Sequence, residues 1–442
     1  MRKRYFSIAI FLLLAAPVLT MATDMPRADL SLLPQAAQAT VLATFGGDNP
    51  DYSVQAGNDP LAGKPWMQLA ELTSSNGQPG DELGISVAVC GSTVVVGASE
   101  LNSSTIGAAY VFVKGTDGWT NMTQTAKLTP SDGASGAIFG SSVACSGSTI
   151  VVGAPHATVG SNEYQGEAYV FVEPKGGWVD MTETARLTSA DGKGNDYFGY
   201  AVAKSGNTIV VGAPQASGKV EAQGKAYIFV EPKGGWKTTS KFNAELTASN
   251  AQFDNGLGVS VSISDDTVVA GAAGVNSVQG AAYVFVEPPS GWKTTSHFNA
   301  ELTASDGGSG AAFGYSVSIS ENTIAVGAYQ VNEAYVFVKP EDRWKSATET
   351  AELTGQGSNF GYSLSLSGNK LVVGAANGGS GNAAYVFDKP PSGWQTTSTY
   401  NAELTAYDGY GFAFSVSADG GTIVAGSIGN NDLQGAAYVF GK

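Results

Sequence analysis

The chain has 442 residues, a formal net charge of −15 and only 14% charged residues. This negative charge argues against nucleic acid or anionic membrane as the main partner, because both are polyanions. The 58 glycines, together with many tyrosines, phenylalanines and short Val, Ile and Thr runs, indicate β structure.

The first 64 residues predict an export signal and a linker. A basic stretch from Arg2 to Arg4 precedes an apolar run from Phe6 to Leu14, and small residues around Ala22 suit cleavage there. Residues 1–22 therefore read as a signal peptide, with an uncleaved anchor as the alternative. We expect a secreted protein, or a periplasmic one in a Gram-negative cell, that is not inserted in the membrane after cleavage. Residues 23–64 are rich in Ala, Gly, Asp and Pro and read as a linker of marginal order.

From residue 65 onward, one unit recurs seven times and carries four landmarks. The first is an aromatic residue or leucine followed by glycine, as in Phe198-Gly199, and the second is a β-branched run that ends in Gly and a small residue. The third is Ala-Tyr-Val/Ile-Phe, with tyrosines at 110, 169, 227, 283, 335, 385 and 438. The fourth is a Trp that leads to Ala-x-Leu-Thr, with leucines at 72, 128, 187, 246, 302, 353 and 404.

Each landmark predicts one short strand. Thr208 to Val211 and Tyr227 to Val230 are rich in β-branched and aromatic residues and are bounded by turn formers. The leucines of the fourth landmark are 51 to 59 residues apart, which is the size of a four-stranded blade with its loops. The sequence therefore predicts an all-β fold, a seven-bladed β-propeller of four-stranded antiparallel blades over residues 65–442.

The two ends of the repeat region predict how the ring closes. The last unit stops after Tyr438 to Phe440 and lacks its own Trp and Ala-x-Leu-Thr. The first Trp and Ala-x-Leu-Thr, from Trp66 to Thr73, stand alone before the first unit. We expect this N-terminal strand to complete the last blade and close the ring without an open sheet edge.

At these residues the chain resembles the FG-GAP family, the repeat of the integrin α-subunit propeller. Phe198-Gly199 matches the "FG" of the family, and Gly153-Ala154-Pro155 and Gly212-Ala213-Pro214 match its "GAP". The resemblance covers about residues 65 to 442 and implies a propeller whose second-to-third-strand loops and Asp-Gly loops share one ligand-binding face.

The family also implies acid-rich calcium loops between the first two strands, and this sequence departs from that pattern. Ser205-Gly206-Asn207 has no acid, and Ser264-Asp265-Asp266, the richest copy, is too short for six to eight oxygen ligands. We therefore predict no metal and no cofactor. Weak calcium binding at Asp191 with Asp196 is the alternative left open.

Catalytic chemistry is poorly supported, and the chain is predicted not to be an enzyme. Its two histidines are His156, in a loop, and His297, at a position that another copy fills with Lys241. Neither histidine can be paired with a serine that lies in a nucleophile-elbow motif. Recurring Glu and Trp residues belong to the repeat itself, so the Trp residues are expected to pack in the fold rather than to stack on sugars.

The two cysteines, Cys90 and Cys145, occupy similar repeat positions that are one residue out of register. A bridge between neighbouring blades is one hypothesis. Two buried free thiols are the favoured hypothesis, since Cys behaves as a small hydrophobe in cores.

On a near-symmetric ring, a single ligand site must use what differs between copies. The segments after the second strand vary most, and they supply the candidate ligand-binding residues His156, Glu163, Tyr164, Lys219, Glu221, Tyr329, Asn332 and Asn377. The leading hypothesis is an extracellular binding, adhesion or scaffold module for a protein or glycan. A lectin with repeated blade sites and an extracellular polymer hydrolase are the alternatives, and ordinary solvated loops are the plainest interpretation of these residues.

Overall fold

A computed structural model describes residues 65–99, 106–133, 136–376, 382–406 and 411–442. The predicted signal peptide, residues 1–22, and the predicted linker, residues 23–64, lie outside these ranges. Within them, no helix has the length and apolar character needed to cross a membrane.

The described residues form thirty strands in seven sheets, one sheet for each blade. In chain order, the strands of the N-terminal segment and of blades 1 to 3 are β1 (Met67–Thr73); β2 (Ser86–Cys90), β3 (Thr93–Ala98), β4 (Ala108–Val113), β5 (Met122–Thr123) and β6 (Ala126–Thr129); β7 (Ser142–Ser146), β8 (Thr149–Ala154), β9 (Glu167–Val172), β10 (Met181–Thr182) and β11 (Ala185–Leu187); and β12 (Ala201–Ser205), β13 (Thr208–Ala213), β14 (Lys225–Val230) and β15 (Ala244–Leu246).

Blades 4 to 7 repeat the same order. Their strands are β16 (Ser260–Ser264), β17 (Thr267–Ala272), β18 (Ala281–Val286) and β19 (Ala300–Leu302); β20 (Ser316–Ser320), β21 (Thr323–Ala328), β22 (Glu333–Val338) and β23 (Ala351–Thr354); β24 (Phe360–Ser367), β25 (Lys370–Ala375), β26 (Ala383–Asp388) and β27 (Ala402–Leu404); and β28 (Phe412–Asp419), β29 (Thr422–Ser427) and β30 (Ala436–Gly441). Two short turns, α1 (Val275–Val278) and α2 (Asn430–Leu433), precede β18 and β30, and each contains residues in the left-handed conformation.

The N-terminal strand closes the ring as predicted. Blade 7 has the order β28-β29-β30-β1, and β1 pairs antiparallel with β30, with Leu72 opposite Ala437. The opposite edge of β1 pairs in parallel with β5, which precedes the outer strand of blade 1. Both edges of β1 are therefore covered, which removes the open edge that the two chain ends would otherwise leave.

The glycines of the first two landmarks interlock neighbouring blades. A Cβ on Gly97, at the end of β3, would lie 2.0 Å from the carbonyl oxygen of Gly140 in blade 2, so no side chain fits there. Gly140 has a φ of +96°, a conformation that glycine adopts at little cost. The Ser86 hydroxyl donates to the same carbonyl oxygen at 2.8 Å, and Ser415 closes the ring with an equivalent bond to Gly84 at 2.7 Å.

The hydrophobic core lies between neighbouring blades, and both aromatic landmarks contribute to it. The Val87 and Val89 side chains of blade 1 share a cluster with Val424 and Val439 of blade 7. The seven landmark tyrosines are at most 2% exposed, and the seven tryptophans are 3 to 8% exposed. The prediction that the tryptophans serve packing is confirmed, because their faces are not accessible to a sugar.

The favoured hypothesis of two free thiols is wrong, because Cys90 and Cys145 form a disulfide with their Cα atoms 6.1 Å apart. Alternate side chains on an inner strand point to opposite faces of the blade. Cys90, the last residue of β2, faces blade 2, whereas Cys145, one position earlier in β7, packs against the hydrophobic cluster between blades 1 and 2, which includes Val95 and Val111 of blade 1. The one-residue offset is therefore what allows the two sulfurs to meet.

Candidate functional site

The strand order places the candidate residues that the structure describes on one face of the ring. The four strands of a blade run antiparallel, so the second-to-third-strand loops and the loops that lead to the next blade emerge on the same side. We call this side the loop face. The opposite side, which carries the first-to-second-strand turns and the third-to-fourth-strand loops, is the turn face.

A Gln-Gly pair that the sequence analysis did not single out positions the loops. The Gln165 carbonyl oxygen accepts the N–H of Phe198, the landmark aromatic residue of the next blade, at 2.8 Å. The Gln165 side chain donates to the Ser189 carbonyl oxygen at 3.1 Å and so holds the adjacent loop. The carbonyl oxygens of Gln223, Gln279 and Gln434 likewise accept the N–H of the landmark residue of the next blade. The sequence pattern that could have identified this pair is the recurrence of Gln-Gly-x-Ala-Tyr in four units.

Two of the predicted residues, His156 and Tyr164, lie together on the loop face. Their ring centroids are 5.0 Å apart, and Tyr197 of the next blade contacts both, at 5.3 Å from His156 and 6.3 Å from Tyr164. Burial lowers the pKa of His156, which favours the neutral imidazole near pH 7. Tyr164 remains 42% exposed, so the group offers an accessible aromatic surface. Sequence reasoning missed Tyr197.

A second aromatic group lies around the axis of the ring. The first strands of neighbouring blades contact one another all the way round, so they are the innermost strands. In four blades the residue after the first-landmark pair is aromatic, and these residues are Tyr200, Tyr315, Tyr362 and Phe414. With the predicted residue Tyr329 they form what we call the axial aromatic cluster.

Ring contacts within the axial aromatic cluster are close. Tyr315 lies 4.5 Å from Tyr329 and 5.1 Å from Tyr362, and Phe414 lies 4.9 Å from Tyr362, between centroids. The hydroxyls of Tyr315 and Tyr362 are 3.2 Å apart. Burial, and then neighbouring tyrosines, raise the pKa of Tyr315, and the pKa of Tyr200 is raised in the same way. Tyr200 is nonetheless 42% exposed.

The remaining predicted residues are loop positions with weaker support. Glu163, Lys219, Glu221 and Asn332 are exposed, and nothing in the structure joins them into one site. The Glu163 carbonyl oxygen accepts the Asn195 N–H at 2.9 Å, so this residue also serves the fold. Asn377 lies outside the described residues.

Acidic residues gather where the landmark tyrosine of one blade meets the loop from the preceding blade. In blade 2 the Tyr169 hydroxyl lies 3.1 Å from Asp132 and 2.6 Å from Glu167, and Arg186 donates to Asp132 at 2.6 Å. In blade 3 the ammonium group of Lys225 lies 2.5 Å from Asp191. A basic side chain therefore compensates the acids at both junctions.

The corresponding junction of blade 5 holds three acids. Ligand oxygens of Asp306, Glu333 and Glu352 lie within 4.8 Å of one another, and the Tyr335 hydroxyl contacts Asp306 and Glu333. Burial, and then the neighbouring acids, raise the pKa of Glu352. Protonation can thus relieve the repulsion, so this group does not by itself establish a metal site. At the alternative calcium position, the Asp191 carboxylate forms an ion pair with the ammonium group of Lys225.

The blade 2 junction predicts a pH-dependent stability. Burial raises the pKa of Glu167 from 4.5 to about 7, so the folded state holds a proton that the unfolded state releases at lower pH. Stability should fall as the pH rises from 4.5 to 7. Glu167→Gln, which imitates the protonated form, should raise the free energy of unfolding at pH 8 by up to about 3 kcal/mol and change it little at pH 4.5. Thermal melting at both pH values measures this, and an equal effect at both would contradict it.

Comparison with known proteins identifies the repeat but not a ligand. The family model for the FG-GAP repeat matches residues 66–112, 122–171, 181–229, 241–285 and 297–337. Among solved structures, the chain is similar to the WD40 β-propeller domain of Doa1, with 12% identity, a TM-score of 0.49, and coverage of 84% of this chain and 97% of that one. That likeness carries no information on function. No curated protein matched the chain.

Proposed function

Since the chain belongs to the FG-GAP repeat family, whose propeller fold supports a binding or scaffold role in general, we propose that it is a secreted module that binds an extracellular protein or glycan on its loop face. Secretion rests on the basic and apolar pattern of residues 1–22. The ligand contacts are assigned to the His156–Tyr164–Tyr197 group and the axial aromatic cluster.

One observation carries the proposal: exposed apolar side chains concentrate on the loop face. Nine large hydrophobic side chains of the described residues are exposed, and seven of them are on this face. These seven are Ile106, Tyr164, Tyr200, Phe253, Val278, Val331 and Leu433. A concentration of exposed apolar surface on one side of a soluble domain is typical of an interaction site.

The two alternatives have less support from the geometry. A lectin with repeated blade sites needs an accessible aromatic residue in equivalent places, but the recurring tryptophans are buried, and the accessible aromatics differ between blades. A hydrolase needs a distinct acid pair, but the acids at the junctions of blades 2 and 3 are engaged by Tyr169, Arg186 and Lys225, and the three acids at the blade 5 junction stand at positions where acids recur in other blades. Absence of enzymatic activity remains a prediction.

A binding screen with variants on each face tests the proposal. The chain without residues 1–22 is screened against a glycan array and a panel of extracellular matrix proteins. The Tyr164→Ala, Tyr200→Ala double variant should weaken binding to each hit at least tenfold, since both side chains are exposed aromatics on the loop face. Val179→Ala, which removes an exposed apolar side chain on the turn face, is the matched control and should not.

Side-chain changes are preferable to loop replacement, because the loops carry hydrogen bonds between blades. Replacing residues 155–165, for example, would remove the Gln165 contacts that hold blade 3. Binding that is lost in the Val179 variant and kept in the tyrosine variant would place the site on the other face. A screen without hits would count against a protein or glycan ligand.

A further inference from the structure

Three exposed apolar residues occupy the same strained backbone position in different blades. The residue before the Gln-Gly pair has a positive φ in all four copies: 56° at Tyr164, 51° at Ala222, 66° at Val278 and 67° at Leu433. Tyr164 is 42% exposed, and Val278 and Leu433 are 45% exposed. We call Tyr164, Val278 and Leu433 the crown residues.

The fold explains the backbone at these positions but not the side chains. The carbonyl oxygens of Tyr164, Val278 and Leu433 accept N–H groups of the next blade at 3.1, 2.8 and 2.9 Å, which requires the left-handed conformation. Glycine would supply the same carbonyl without the steric cost that an L-residue pays at this φ, and this cost is greatest for a β-branched residue such as valine. Glycine would also remove apolar surface from water. Neither folding nor solubility accounts for the Val278 and Leu433 side chains, and Tyr164, whose ring also contacts His156 and Tyr197, keeps 42% of its surface exposed.

The charge of the loops on the loop face is one-sided, although Asp81, Glu82 and Asp196 are buried there and the strand residues Arg186 and Lys225 pair with Asp132 and Asp191. Among the described residues, the loops of the loop face contain ten acidic residues and two basic ones, Lys193 and Lys219. The loops and turns of the turn face contain twelve acidic and ten basic residues. The acidic excess of the loops therefore lies on the face that exposes the apolar side chains. A partner with basic groups around apolar ones is complementary to such a surface.

We propose that the loop face docks a basic protein whose apolar side chains pack on the crown residues and whose lysine or arginine side chains face the surrounding acids. The inference rests on the proposed function and names the class of partner. A second copy of this chain is disfavoured, because two acidic loop faces repel each other.

Selection from a random peptide library displayed on phage tests the partner chemistry directly. The chain without residues 1–22 is immobilised, and enriched peptides are synthesised and titrated by calorimetry. We expect enriched sequences to combine Lys or Arg with aromatic or aliphatic residues. Their Kd should weaken at least tenfold between about 0.05 and 0.5 M salt, because screening shortens the reach of the acids.

Glycine substitutions separate contact from structure. The triple variant Tyr164→Gly, Val278→Gly, Leu433→Gly should weaken peptide binding at least tenfold, whereas its Tm should fall by no more than about 3 °C, since glycine suits the backbone there. Ala222→Gly makes the same backbone change at a position without an exposed apolar side chain, and should leave the Kd unchanged.

Each other outcome overturns the inference. Enriched peptides without basic residues would exclude a basic partner, and equal binding by the triple variant would exclude the crown residues as contacts. A large fall in Tm would show that the crown side chains serve the fold. A glycan hit in the screen above, with no enriched basic peptide, would overturn this inference while leaving the proposed function in place.

Discussion

A chain that begins at residue 74 is expected to lose the cooperative melting of the whole ring. The deletion removes β1, in which Ala70 and Leu72 are fully buried, and also Trp66, which is 5% exposed. Truncating a buried Trp or Leu typically costs about 2–5 kcal/mol, and here the backbone pairing with β30 and β5 is lost as well. We expect the Tm to fall by at least about 10 °C relative to a chain that begins at residue 65.

Complementation provides the control for this deletion. A synthetic peptide of residues 65–75, added to the truncated chain, should bind the vacant edge of β30 and restore part of the lost Tm. A peptide of the same composition in scrambled order should not, because the register places Leu72 opposite Ala437. Unchanged melting of the truncated chain would mean that the ring does not depend on its closing strand.

Reduction of the Cys90–Cys145 disulfide should give the second large effect. The bridge spans 55 residues and joins the inner strands of blades 1 and 2. In the chain-entropy model, a loop of this length stabilises the folded state by about 4 kcal/mol. We expect a reductant to lower the Tm by several degrees, and the Cys90→Ala, Cys145→Ala double variant to melt at the reduced value with or without reductant.

Thiol counting distinguishes this result from the hypothesis of free cysteines. The purified, denatured chain should show no reactive thiol before reduction and two afterwards. Two reactive thiols before reduction, together with a Tm that the reductant does not change, would contradict the bridge. The double variant also controls for any direct effect of the reductant on the rest of the chain.

The sequence alone determined the propeller, its blade number and its closure. Each of these follows from a pattern that recurs along the chain. Glycine recurs at the positions of Gly97 and Gly140 because backbone from a neighbouring blade occupies the space that a side chain would need. The landmark of Leu72 precedes the first unit because its strand belongs to the last blade. These local patterns could be recognised because they are repeated: seven copies of one weak pattern define the spacing of a blade.

Contacts between blades were decided only by the tertiary structure. The disulfide was misjudged because the offset of Cys90 and Cys145 has meaning only when two inner strands face each other with opposite side-chain alternation. The pairing of His156 with Tyr164 lies within one predicted loop, but Tyr197 joins them from the next blade. Tyr315, Tyr362 and Phe414 were missed for the same reason: residues from different blades become neighbours only when the ring brings their inner strands around one axis.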